Sequence, residues 1–184
     1  MNSETSDKMD SKNDQMILAH DILIAGEEIS NLQLLSQFLS QAGYKVRQAE
    51  RPQPAIDSAL AKPPALILLD VRMTGMDGFE VCKRLKQDER THSIPIIFIS
   101  ELQDLQDKIR GFEAGGVDFI TKPFQKPEVL ARVRTHLGLR DMQLHLEEMV
   151  AKRTAEALEG EERFGATFEQ AAVGVAHVSP DGKF

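Results

Sequence analysis

ALILLDVRMTGMDG, residues 65–78, is the stretch that decides the fold of this chain. Five apolar residues, Ala65 to Leu69, are too few for a helix and lack polar alternation, so they read as a strand covered on both faces. Strands of that kind belong to parallel sheets, and open parallel sheets place their chemistry at the carboxyl ends of the strands. Asp70 stands at that end, before a turn that carries Gly75 and Gly78. A lone aspartate there is also explained as a helix cap. A functional reading requires partners for Asp70 from other strand ends.

Towards the N-terminus, Ile22–Ala25 is a short apolar run that stops at Gly26, Glu27 and Glu28, so a first strand also ends in acid. Ser30 is suited to cap a helix whose apolar residues Leu32, Leu35, Phe38 and Leu39 fall at helical spacing, and Gly43 is suited to end it. Tyr44–Ala49 reads as a second strand. Pro52 opens a helix through Ala61, because its missing N–H costs little at the first position, and Lys62-Pro63-Pro64 closes it.

Towards the C-terminus, Phe79, Val81, Cys82 and Leu85 form a helix face, and 87–93 is a polar loop. Ile94–Ile99 is a second fully apolar run, ending in Ser100. A helix over about Leu102–Ala114 stops at Gly115-Gly116, and Val117–Ile120 is a fifth strand closing on Thr121-Lys122-Pro123-Phe124. Five strands alternating with helices predict a parallel sheet with helices on both faces.

The helix starting near Pro127 runs on past the point where a compact domain ends. Val129, Leu130, Val133 and Leu137 are spaced to pack on the sheet, whereas Leu139, Met142, Leu146 and Met149 follow the 3-4-3 spacing of a coiled-coil seam, interrupted at Arg153. A solvated helix rich in Glu/Lys/Arg pairs is the other reading of the same residues. Gly160 and Gly165 weaken the helix, after which a helical turn, a strand around Val173–Val178 and a Pro-Asp-Gly turn are expected.

Length allows one domain of about 120 residues plus an extension. A net charge of -7 argues against nucleic acid as a direct partner. Cys82 is the only cysteine, so no intrachain disulfide and no thiolate metal cluster is available, which fits a reducing, cytoplasmic setting. No apolar run approaches the roughly 18 to 20 residues of a membrane span. Residues 1–20 are polar at the start and read as a disordered lead-in rather than a secretory signal. The five histidines have no ligand-like spacing and are expected at the surface or in packing, with Met73, Met76 and Cys82 also in packing roles.

Four strand ends carry chemistry: Glu27 and Glu28, then Asp70, Ser100 and Lys122. A parallel sheet brings them to one edge. Clustered carboxylates repel unless a cation sits among them, and oxygen ligands of this kind suit Mg²⁺ joining carboxylate to phosphate. Lys122 supplies a mobile positive charge and Ser100 a hydroxyl donor, both suited to phosphoryl oxygens. Together they describe an aspartate that accepts a phosphoryl group.

In order, ILIAGEEISN, LILLDVRMTGMDGFEVCKRLK, IPIIFIS and GVDFITKPF resemble the blocks of the response-regulator receiver domain, over about Ile22 to Leu137. The resemblance implies a flavodoxin-like doubly wound α/β fold with strand order 2-1-3-4-5. It also implies phosphoryl transfer from a histidine kinase or phosphotransfer protein to Asp70. It makes Glu27, Asp70 and the Arg72 carbonyl the ligands of Mg²⁺, Ser100 and Phe119 the switch pair, and Lys122 the phosphate partner, with a cis bond before Pro123. The family presents two adjacent aspartates at the first strand end, where this chain has Gly26 and Glu27, so weaker metal binding is expected. The Arg72 guanidinium is a candidate to fill the space beside Gly26, and Thr74 stands where the family commonly has Pro.

The last stretch, RFGATFEQAAVGVAHVSPDGKF, resembles the opening of a PAS domain. The expected layout is a lead-in over 1–20, a receiver over 21–138, a helical linker over 139–162 and a truncated PAS start over 163–184. That arrangement resembles hybrid histidine kinases and diguanylate cyclases, whose output domains this segment does not include. A homodimer through the last receiver helices and the extension is expected. Two other readings remain. One is a degenerate receiver acting as a phosphorylation-independent interaction module. The other is a haloacid-dehalogenase-like phosphatase, which wants an acid where Arg72 stands.

Overall fold

The structure, a computed structural model, describes residues 20–101 and 105–175. Ten elements alternate: β1 (Asp21–Ala25), α1 (Ile29–Gln41), β2 (Lys45–Ala49), α2 (Pro52–Ala61), β3 (Leu66–Asp70), α3 (Gly78–Gln87), β4 (Ile96–Ser100), α4 (Leu105–Glu113), β5 (Asp118–Thr121) and α5 (Lys126–Val175). All pairings are parallel and the strand order is β2-β1-β3-β4-β5, the flavodoxin-like arrangement expected from the sequence.

Strand periodicity sorts the central residues onto two faces. Leu23, Ile67, Leu69, Ile96 and Phe98 join Ala55, Ile56, Ala59, Phe79, Val81, Cys82 and Leu85 on the side of α2 and α3. Ile22, Ile24, Leu66, Leu68, Ile97 and Ile99 join Leu32, Leu35, Leu39, Val129, Val133 and Leu137 on the side of α1 and α5. Every residue of β3 and β4 is buried, which explains why those runs show no polar alternation. Burial of each Leu or Ile side chain contributes roughly 1.5–3 kcal/mol, so the central strands hold the sheet, and the edge strand β2 is free to carry polar residues.

Several expectations shift. Asp70 and Ser100 are the last residues of β3 and β4 rather than the first residues beyond them. Ser30 does not cap α1: the cap position is Glu28, whose carboxylate accepts from the Ser30 hydroxyl and the Asn31 amide. Asp77 caps α3 by accepting from the Glu80 N–H at 2.8 Å. Of the histidines, His136 packs with a ring nitrogen 3.1 Å from Asp118, in a cluster with Arg132.

The chain divides into two compact units, with the boundary after Arg140. In the second, residues 141–175 are helical, including Val173–Val175, where a strand was expected to begin. Two glycines cost only about 1 kcal/mol each against a run rich in Ala, Glu and Gln, so the helix persists. The rest of that expected strand and the Pro-Asp-Gly turn lie outside the described residues, as does the lead-in apart from His20. Among the described residues no helix is long and apolar enough to cross a membrane.

Candidate functional site

Asp70 reaches the carboxyl edge because β3 runs straight into the turn that follows. Gly78 makes that turn possible: a Cβ there would lie 2.2 Å from the Asp70 carbonyl oxygen, so the start of α3 packs against the strand end only without a side chain. The Gly78 N–H donates to the Val71 carbonyl at 2.9 Å and closes the loop. Met73 is buried and Met76 packs against the same core, as expected of them.

The predicted residues converge here. Asp70 is buried, with 6 % of its surface exposed, and both its carboxylate oxygens are held. Oδ2 accepts from Lys122 Nζ at 2.7 Å, and Oδ1 accepts from the Arg72 backbone N–H at 3.1 Å. Lys122 follows β5, directly after the register pair Ser100–Thr121, and the bond to Pro123 is cis, as the resemblance implied. Its N–H donates to the Ser100 carbonyl at 2.9 Å, so β4 aligns the lysine with the aspartate on the neighbouring strand. Ser100 is buried at the same edge. Lys122 Nζ also lies 3.6 Å from Glu28, a carboxylate that the sequence placed only nearby.

Phe119 is already inside. It is 9 % exposed and its ring centroid lies 5.3 Å from those of Phe98 and Phe112. Gly111 makes room for it, since a Cβ there would lie 2.3 Å from Phe119 Cζ.

The first strand end departs most from expectation. Gly26 lies against Asp70: a Cβ at 26 would sit 3.1 Å from the Asp70 Cβ. The Arg72 guanidinium does not fill this space. It turns to Glu101 at 3.0 Å and is two-thirds exposed, because the carboxylate just past β4 offers a partner without the desolvation that the Gly26 side would cost. Glu27 bends to the loop after β3, where Oε1 accepts from the Thr74 N–H at 2.6 Å and Oε2 from the Thr74 hydroxyl at 2.8 Å. In the sequence Thr74 stands out only as a substitute for proline, and nothing in its spacing signals this pairing. A second tie escaped the sequence reading: Arg110 of α4 pairs with Asp77 at 2.9 Å and stacks 4.7 Å over the Phe79 ring.

Two carboxylates and a backbone carbonyl fit the oxygen chemistry of Mg²⁺, which is commonly held by one or two carboxylates with waters and phosphate completing the shell. Among the described residues no third acid, histidine or cysteine joins them in a group.

Residues 22–134 match the model of the response regulator receiver domain. The chain is 43% identical over 120 residues to the DNA-binding dual master transcriptional regulator RpaA of Synechocystis, covering 65% of this chain and 50% of that protein. It is 41% identical over 114 residues to the response regulator PleD of Caulobacter vibrioides, covering 62% of this chain and 25% of that protein. A crystal structure of a putative response regulator from Chloroflexus aurantiacus superposes with a TM-score of 0.63 at 34% identity, covering 65% of this chain and 98% of that one. The chain thus spans half or less of these curated relatives, in the part that carries the sheet and its strand-end residues. With the fold, the strand-end placement of Asp70, Ser100 and Lys122, and these matches in agreement, the chain belongs to the response regulator receiver domain family.

Proposed function

We propose that this receiver accepts a phosphoryl group on Asp70 from a cognate histidine kinase or phosphotransfer protein and passes the signal through α5 to downstream domains. The observation that carries the reading is the Lys122–Asp70 contact at 2.7 Å beside the buried Ser100. An Asp70 carboxylate oxygen attacks the phosphorus of a phosphohistidine donor. The O–P bond forms as the P–N bond breaks, and the donor imidazole keeps the nitrogen electron pair. Lys122 then follows the new negative charge, and the Ser100 hydroxyl donates to a phosphoryl oxygen.

A divalent cation would be held by Glu27, Asp70 and the Arg72 carbonyl, and would neutralise charge on the phosphoryl oxygens when bound. Signalling is a population shift between two packings of the β4–β5 edge, and Phe119 occupies the inward one.

The output is proposed to be that of a hybrid histidine kinase or a diguanylate cyclase, with a PAS domain beginning near residue 163, on the strength of the sequence resemblance. A homodimer through the last receiver helices and the extension is supported by Ile109 and Phe112 on α4 and by Met142, Leu146 and Met149 on α5, all exposed in the single chain. Light scattering at high protein concentration tests it, and a monomer there removes its support. A cytoplasmic setting and the absence of direct nucleic-acid contact complete the reading.

Acetyl phosphate with Mg²⁺, followed by intact mass measurement, tests the phosphoacceptor: the wild type gains one phosphoryl group and Asp70→Ala gains none. Gly26, with no carboxylate to offer, favours the second reading, a degenerate receiver that works as an interaction module. An unchanged mass in the wild type, or an equal gain in Asp70→Ala, defeats the phosphoacceptor reading.

A further inference from the structure

The Glu27 carboxylate is gripped at both oxygens by one residue. Thr74 donates its N–H to Oε1 and its hydroxyl to Oε2, across 47 positions of sequence. The pair straps the loop after β1 to the loop after β3, and Asp70 lies buried at the end of β3, next to Gly26. The strap also forms a wall between two open clefts, of about 490 and 530 Å³, because Glu27 and Thr74 line both.

A cation held by Glu27, Asp70 and the Arg72 carbonyl would tie the same two loops together. Glu27 is the only carboxylate that the β1 end can offer to such a cation besides Glu28, and Glu28 is occupied with Ser30, Asn31 and Lys122. Gly26 supplies none, and Arg72 keeps its charge at Glu101. We propose that Thr74 competes with the divalent cation for the Glu27 carboxylate, so that the strap across the Asp70 edge opens when the cation enters. Thr74 is then a positioning residue. It keeps the two loops together before the cation is present and sets the cation concentration at which the site fills. The inference rests on the cation site proposed above.

The test uses Mn²⁺ as the probe, its free concentration read by electron paramagnetic resonance, with the full 184-residue chain. Thr74→Pro removes both donors, Thr74→Ala removes the hydroxyl alone, and Thr74→Ser keeps both. Charge-assisted hydrogen bonds at an exposed site predict a gain in Mn²⁺ affinity of about fivefold for Thr74→Pro. A smaller gain is expected for Thr74→Ala and none for Thr74→Ser. In EDTA, amide exchange at residues 26–28 rises in Thr74→Pro and Thr74→Ala relative to wild type and Thr74→Ser.

Equal Mn²⁺ affinity in wild type and Thr74→Ala, with wild-type circular dichroism, overturns the competition and leaves the cation site standing. If none of the four proteins binds Mn²⁺, the cation site fails and the competition with it. Should Thr74→Pro fail to fold, Thr74→Ala against Thr74→Ser decides between these outcomes.

Discussion

Lys122 and Asp70 are joined across two strands by a 2.7 Å ion pair with both side chains largely withdrawn from water. The pair is built by register: β4 lies between β3 and β5, and the Ser100–Lys122 backbone hydrogen bond sets how far the lysine reaches back. The contact has a stability consequence separate from any chemistry.

Removing the ammonium leaves a buried carboxylate whose Oδ2 has lost its cation, while Oδ1 keeps the Arg72 N–H. Lys122→Met is therefore expected to lower the free energy of unfolding by about 3 kcal/mol. In the double variant with Asp70→Asn most of that loss is recovered, because the uncompensated charge is gone. Urea unfolding at pH 7 of the two single variants and the double variant checks the cycle.

Gly111 and Phe119 offer a direct handle on the inward aromatic. A Cβ at 111 would meet Phe119 Cζ at 2.3 Å, Phe79 Cε1 at 3.0 Å and Phe98 Cε2 at 3.1 Å, three rings of one buried core of which Phe119 lies nearest the surface. Gly111→Ala is expected to cost about 2 kcal/mol by overpacking and to push Phe119 outwards. Thermal unfolding reads the cost. Ring-proton chemical shifts of Phe119 read the displacement, and wild-type shifts in the variant would contradict it.

The acid limb of stability is expected to run through Asp118. Burial works to raise its pKa, but hydrogen bonds from the Phe119 N–H, Arg132 and His136 outweigh that and hold the carboxyl below its ordinary value. A folded pKa below the unfolded one contributes stability that is present above the unfolded value and lost as pH falls through the folded one. The wild type should therefore lose stability as pH drops from about 4 downwards. In Asp118→Asn that part of the loss should disappear, as measured by urea midpoints between pH 7 and pH 3.

Cys82 is buried, its Sγ lies 3.3 Å from the Ala114 carbonyl oxygen, and burial pushes its thiol pKa up to about 11. At pH 8 the thiolate is scarce and shielded, so the native protein should react with a disulfide reagent at least about a hundredfold more slowly than the urea-unfolded chain. Rapid labelling of the folded protein would show that α3 opens locally.

The fold was legible because β3 and β4 are apolar up to their last residue and alternate with helices, a pattern that fits strands covered on both faces of a parallel sheet. Asp70, Ser100 and Lys122 were legible for the same reason: each closes such a run or the strand beside it, and strand ends on one edge must meet. Helix starts were less legible. Ser30 and Glu28 both suit the start of α1, and only the backbone shows that Glu28 takes the cap position. The helix over Val173–Val175 was missed because glycine penalties are local, whereas helix propensity accumulates over the whole run.

Sequence alone determined the alternation of elements, the doubly wound sheet and the edge on which the acids, the hydroxyl and the lysine gather, because those follow from hydrophobic periodicity and chain order. Tertiary structure decided which partner each long side chain takes. Arg72 takes Glu101 rather than the space beside Gly26, and Glu27 takes Thr74. Their choices depend on desolvation and on distances between loops 29 and 47 residues apart, which no local pattern encodes.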